Sequence, residues 1–511
     1  MKRLLLLSLS IVVFFACKDA GNRTKVTNEI QPLHFTFTTS HNIEPIALLN
    51  LGGLYHLIYG TSDEPDIRKT NIIGQAISED LINWSESSKA VFPKYNNSLL
   101  KGGIIIDSNN ITGYGTSESP PLVAVLIRIE IGDSINQGMK KAFPILAFST
   151  DDGNLWAVTT DKINFPPAFI NNPQNVGICW HQPTKKWIMS IALNDHVELY
   201  SSADLRLWNF ESLLGTDFFP EEIKWKRTTL FSSGDGIHWV LLVDIKKSGK
   251  HQTAGGTVYF IGYFDGHSFL NQSSQLHWLD YGEDIYGSLI STGCDGRTIN
   301  VGWRNNNDKQ SSKNNNHFSP IITLPRELNL ENSNTEWFIT ASPVLELKKI
   351  YGKDVKLEPV KVSYKVDDLQ LISGVKAPFE VFLKFNTSDI QKGSFPTRFG
   401  VSFWNSRREH MTFGFDRFGY YYIDKSGLVP SLGTQIVNDP IRMPSNHSDS
   451  TMSLRLIVDI STIECFTEGG KLVMTSTYSS SEPFNRLKLF AVNGNIDFLE
   501  GKIIELRTSR P

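Results

Sequence analysis

A recurring turn limits what this chain can fold into more than any other feature. Ser78-Glu79-Asp80-Leu81-Ile82-Asn83-Trp84 is echoed by Ser149-Thr150-Asp151-Asp152-Gly153-Asn154-Leu155-Trp156 and again by Ser202-Ala203-Asp204-Leu205-Arg206-Leu207-Trp208. A degenerate copy, Phe264-Asp265-Gly266-His267-Ser268-Phe269, comes next. Each copy follows a pair of strand-like runs and closes on an aromatic residue. Chance recurrence of a common Asp-containing hairpin turn would not keep four ordered copies roughly 50 to 70 residues apart. A unit of several short strands that cannot bury its faces alone, repeated at that spacing, argues a β-propeller. Thr298-Ile299-Asn300-Val301-Gly302-Trp303 serves its final blade.

Short apolar runs such as Leu54–Tyr59, Leu122–Ile127 and Trp239–Val243 alternate with Gly, Asn, Asp and Ser turns to the C-terminus. No stretch keeps a 3.6-residue period, so helix content should be low and the fold class is all-β. The 511 residues suggest two domains. After Trp303, the polar segment Asn305–His317 reads as a mobile loop. Further on, Phe379–Phe385, Arg398–Trp404, Leu454–Asp459 and Lys488–Val492 read as strands of a second all-β unit, a sandwich.

The N-terminus predicts export. Lys2 and Arg3 precede an apolar run, Leu4 to Phe15, that is too short to span a bilayer. Ala16-Cys17 then resembles a bacterial lipoprotein cleavage box, which makes residues 1–17 a signal peptide, Cys17 the lipidated residue and 18–32 a tether. The expected location is the bacterial cell envelope, with Lys18-Asp19 pointing weakly to the outer-membrane surface. Cys179, Cys294 and Cys465 form neither a disulfide framework nor a metal-ligand pattern and read as small buried hydrophobes. No metal or cofactor is expected. A net charge of -3 with mixed signs leaves no footprint for nucleic acid.

Several longer words carry a family resemblance. They are Leu54–Tyr59, Trp180-His181-Gln182-Pro183 through Trp187, Asp280-Tyr281-Gly282-Glu283-Asp284-Ile285-Tyr286, Gly302-Trp303, Thr323-Leu324-Pro325-Arg326-Glu327-Leu328, and Val458-Asp459 through Phe466. In this order, across nearly the whole mature chain, they resemble glycoside hydrolase family 32. Its members are the invertases, inulinases and levanases that hydrolyse β-fructofuranosides. The resemblance implies a five-bladed β-propeller at 33–335, a linker at 336–354 and a β-sandwich at 355–511.

It also implies where the active site would lie, and there the chain departs from the family. Glu44 occupies the nucleophile position, in Ile43-Glu44-Pro45. Asn175, after Gln174, stands at the position of the transition-state-stabilising Asp. Lys226 replaces the acid/base Glu, because the family's Glu-Cys-Pro word reads Lys226-Arg227-Thr228. Lys101-Gly102-Gly103 replaces a Ser-Gly-Ser word, and Gly60 replaces a Gln. Tyr286, Trp303, Gln174 and Lys101 are the expected sugar-contacting residues.

Retaining glycosidases use two carboxyl groups about 5–5.5 Å apart, one attacking the anomeric carbon and one protonating the leaving oxygen. Glu44 places its oxygen about one bond further out than Asp, and a displacement of about 1 Å costs roughly 10²-fold. A lysine at the acid position forfeits assistance worth about 10²–10⁴-fold. Glu221, Glu222 or Asp217 would have to supply a replacement acid; alternatively Glu44 and Lys226 pair across the former cleft.

Three functions follow. The first is an envelope lipoprotein that binds fructan or a related glycan with little or no hydrolysis. The second is an active fructosidase using Glu44 with Glu221 or Glu222. The third is a scaffold in a glycan-uptake complex.

Overall fold

A computed structural model describes residues 32–508 except 38–42, 62–71, 88–97, 131–140, 173, 194–195, 216–222, 248–254, 274, 294, 305–320, 334–335, 364–371, 375, 391–394 and 430–438. The expected signal peptide, Cys17, nearly all of the tether, Asp217, Glu221, Glu222, Cys294 and the polar segment 305–317 therefore lie outside the described residues.

Up to Pro343 the chain forms five antiparallel sheets in sequence, each begun by an innermost strand: Glu44–Leu51, Ser98–Ile106, Gly177–His181, Ile223–Ser232 and Tyr286–Thr292. Each of these touches the next, and the fifth returns to the first, closing a ring around a central channel. The chain before the first sheet also reaches the fifth, where Thr36 bridges Ile321. This is a β-propeller. Its blades bury both faces against their neighbours, so a strand such as Leu122–Glu130 is buried along most of its length. That is why its sequence runs continuously apolar rather than alternating.

The repeated turns occupy one equivalent place, the hairpin between the third and fourth strands of blades one to four. In the first three, the serine hydroxyl bonds the Asp two residues on, and that Asp caps backbone N–H groups of the turn. Positive φ falls on Leu81 in the first turn, on Asp152 and Gly153 in the second, and on Leu205 in the third. The indole N–H of Trp84, Trp156 and Trp208 donates to the carbonyl of Leu81, Gly153 and Leu205 at 2.9, 2.9 and 3.1 Å. Each ring then packs into the apolar seam shared with the preceding blade, and Phe269 does the same in the fourth.

The second unit is a sandwich of seven-stranded and six-stranded sheets. The faces of Phe379–Asn386 and Arg398–Trp404 meet in one apolar core. Residues 336–354, expected as a linker, are largely structured. Trp337–Pro343 is the outer strand of blade five, Leu345–Ile350 is a 3₁₀ turn, and Tyr351 opens the first strand of the sandwich.

The two units are joined by buried charge. Arg326 donates to Glu464 (Nη2, 2.8 Å) and Asp280 (Nη1, 2.8 Å), while His34 lies between Asp459 (2.7 Å) and Glu464 (2.9 Å). Gly282 lies so close to the sandwich that a Cβ there would sit 1.7 Å from the Thr475 carbonyl oxygen. Much of the wording that carries the family resemblance therefore builds this joint.

Candidate functional site

Glu44 begins the innermost strand of blade one, opposite Gly60. One Glu44 oxygen takes the Lys101 ammonium, and the other accepts from Asn175 Nδ2 at 2.8 Å. Asn175 Oδ1 in turn accepts the Gly102 N–H at 3.1 Å. Gly102 has φ +151°, and a Cβ there would lie 2.0 Å from the Val125 carbonyl oxygen, so only glycine fits beside Lys101. Burial opposes the Glu44 charge, but Lys101, Arg227 and Asn175 outweigh it and hold its pKa below the usual value.

The structure thus brings Glu44, Lys101 and Asn175 together. Lys226 is placed differently from the expectation of a Glu44–Lys226 pair. A bulge between Trp225 and Arg227 interrupts the strand register, Lys226 is exposed, and Glu44 has Lys101 and Arg227 as its leading charge partners. Lys101, expected to contact sugar, is committed to that ion pair. Gln174 is turned to the Ala192 carbonyl. The backbone of Tyr286 pairs with Trp303. The Trp303 ring crosses Gly287, where φ is +71° and a Cβ would come within 1.9 Å of the indole.

Sequence reasoning missed Arg227 as a site residue. It is buried, lies 4.9 Å above the Trp303 ring, and donates through Nη2 to the carbonyls of Pro45 (2.9 Å) and Ile46 (3.4 Å). Burial lowers its pKa against the attraction of Asp244 and Glu44, yet a guanidinium is basic enough to remain charged. Asp244 faces it across the strand pair; burial raises that carboxyl to about 6 against the pull of Arg227 and a 2.7 Å bond from Thr257. A pKa near neutrality suits a general acid, but Asp244 is packed behind the blade wall. Regular alternation would have set Lys226 and Arg227 on opposite faces, and only the bulge decides which one turns inward. Cys179 lies in the channel wall, where burial pushes its thiol up to about 12, and Cys465 is buried in the sandwich core.

A channel ringed by five innermost strands, with this cluster at one end and a sandwich locked to the propeller, defines a class that comparison makes explicit. Residues 34–341 match the Glycosyl hydrolases family 32 N-terminal domain and residues 346–505 the Glycosyl hydrolases family 32 C terminal domain, so the chain belongs to glycosyl hydrolase family 32. Among its relatives, the Levanase of Bacillus subtilis (strain 168) is 25% identical over 514 residues, spanning 96% of this chain and 72% of the levanase. The Extracellular exo-inulinase of Aspergillus awamori is 30% identical over 312 residues, 53% of this chain and 57% of the inulinase. The crystal structure of exo-inulinase from Aspergillus awamori superimposes with a TM-score of 0.78 at 22% identity, covering 94% of this chain and 99% of that one. A fructofuranosidase from Schwanniomyces occidentalis complexed with fructose gives 0.77 at 20% identity, covering 93% and 98%.

Proposed function

We propose that this chain recognises fructan or a related glycan at the bacterial envelope, anchored through lipidated Cys17, and hydrolyses it little or not at all. The observation that carries this reading is the state of Glu44. Its carboxylate is bound on one oxygen by Lys101 and on the other by Asn175, with Arg227 beneath. A nucleophile held so tightly is stabilised in its ground state, which raises the barrier to attack. Neither Asn175 nor Lys226 offers the second carboxyl of a retaining pair. Relatives named levanase and exo-inulinase, and a structural neighbour holding fructose, support a fructose-containing ligand.

Hydrolysis keeps one specific observation in its favour: Glu44 remains ionised and its side chain is a third exposed. The test is a glycan-binding panel run beside product analysis on levan, inulin and sucrose. Binding with negligible fructose release is expected. Robust fructose release abolished by Glu44→Gln would overturn the proposal and establish the hydrolase.

A further inference from the structure

The face of the propeller opposite Glu44 plays no part in the proposed function. The first strand of each blade starts at the Glu44 end, so the connections from first to second strand and from third to fourth lie on the opposite face. In blades two to four these connections, and the strand residues beside them, expose large apolar side chains. Blade two contributes Ile111 and Leu155, blade three Leu207 and Phe210, and blade four Ile237, Tyr263 and Leu270, all between 39% and 61% exposed.

The repeated turn does not require them. Just before its tryptophan, blade one has Asn83, which bonds Asp80, where blades two and three have Leu155 and Leu207. Blade five carries Asp295 and Arg297 in its first connection. Apolar residues exposed singly need no explanation, but a group of them on one face marks an interaction surface.

These residues form one continuous rim. Arg206, beside Leu207, donates to the Thr112 carbonyl (3.3 Å) and the Tyr114 hydroxyl (2.9 Å), which joins blade three to the Ile111 loop. Glu211, beside Phe210, meets His267 Nδ1 at 2.5 Å, which joins blade three to blade four. Leu270 lies opposite Tyr263 across the strand pair, and the Tyr263 ring stacks at 5.2 Å on His238, the neighbour of Ile237.

Charge decides what kind of surface covers the rim. Arg206 pairs with Asp161, and Lys186 with Glu211. Around them Glu118, Asp151, Asp152 and Asp265 are exposed against exposed Lys162 and Lys185, so the rim is net negative among the described residues. A second copy of this chain would bring the same negative rim, and an anionic bilayer would be repelled as well. A protein face that sets lysine or arginine among apolar residues meets both features: apolar burial supplies affinity, and complementary charge supplies orientation and rate.

We propose that the rim of blades two to four opposite Glu44 docks a protein partner with a basic, apolar face. A partner seated there leaves the Glu44 end of the channel uncovered.

A photo-crosslinking residue placed at Leu207 or Leu270 of the full chain, in the cells that make it, tests this. Phe418 is the control position, being 78% exposed on the sandwich. Adducts are expected at Leu207 and Leu270 and not at Phe418. The crosslinked peptide should come from another protein and carry more lysine and arginine than aspartate and glutamate. With the crosslinker moved to Ile237, Leu207→Ser combined with Leu270→Ser should lower the adduct yield about tenfold or more. Glu118→Gln combined with Asp152→Asn should lower it several-fold, as should raised ionic strength in lysed cells. No adduct at either rim position, adducts to lipid or to a second copy, a crosslinked peptide without a basic excess, equal adducts at Phe418, or a yield unchanged in either pair of variants would each overturn the proposal. Levan binding by wild type and Glu44→Gln is scored separately, so the docking surface and the glycan reading can each fail alone.

Discussion

Replacing Glu464 by glutamine strikes the joint between propeller and sandwich. One Glu464 oxygen accepts from His34 (2.9 Å) and the Leu324 N–H (2.7 Å); the other accepts from Arg326 Nε (3.1 Å) and Nη2 (2.8 Å). A carboxamide has only one acceptor oxygen. Its NH₂ group must therefore face either Arg326 or the His34 and Leu324 donors, so two of the four lose their Glu464 acceptor in a buried site. Breaking a buried ion pair costs about 3–5 kcal/mol. Asp280 still holds Arg326 and Asp459 still holds His34, so the lower figure applies. At about 2–4 °C per kcal/mol for a unit of the sandwich's size, 3 kcal/mol lowers its melting temperature by about 6–12 °C. Lys384→Ala, which removes the exposed pair with Glu500, should cost within about 1 kcal/mol.

The same joint has a pH signature. Burial works against charge on His34, but Asp459 and Glu464 overcome it and raise the imidazole to about 9. A raised pKa stabilises fully below the ordinary value near 6.5 and is lost as pH rises through about 9. Burial also opposes the Glu464 charge, which Arg326 and His34 hold down to about 2; its contribution is present above about 4.5 and lost as pH falls through about 2. Glu464→Gln should therefore shift the alkaline limb of melting temperature against pH to lower pH. Scanning calorimetry across that range decides it. A variant melting with wild type and sharing its pH profile would refute the assignment of the joint to these charges.

Restoring the family's carboxylates with Glu44→Asp, Asn175→Asp and Lys226→Glu should recover little fructose release from levan or sucrose, because Lys101, Arg227 and Gly60 remain; strong release would show that those three positions suffice. Gly287→Ala should destabilise the propeller by about 1–3 kcal/mol through overpacking against Trp303, measured by denaturant midpoint, and an unchanged midpoint would contradict the contact. Cys17→Ala should leave unprocessed precursor and move the protein out of the membrane fraction, and wild-type processing far from residue 17 would count against the anchor.

The repeated Ser-x-Asp turns and their aromatic ends made the propeller legible from sequence, because each of the first three turns is a local device of capping bonds, positive φ at its tip and a tryptophan folded back on the carbonyl three residues before it. The strand runs were readable for a similar reason: blades packed on both faces demand continuous apolar residues. Sequence could not tell which seam each Trp fills, since that depends on how neighbouring blades meet. It placed Glu44 and Asn175 at the site and offered Lys226 as one possible partner of Glu44, where the folded chain uses Lys101. The cause is a single bulge at Trp225–Arg227, which resets the facing of two adjacent cations. It read 336–354 as a linker although Trp337–Ile339 is an apolar run, because only pairing with Arg326–Asn332 makes Trp337–Pro343 the outer strand of a blade. Periodicity and turn chemistry are local and were fixed by the residues themselves. Which charges meet across the channel and across the domain joint depends on contacts hundreds of residues apart, such as His34 with Asp459, and only the tertiary structure decided them.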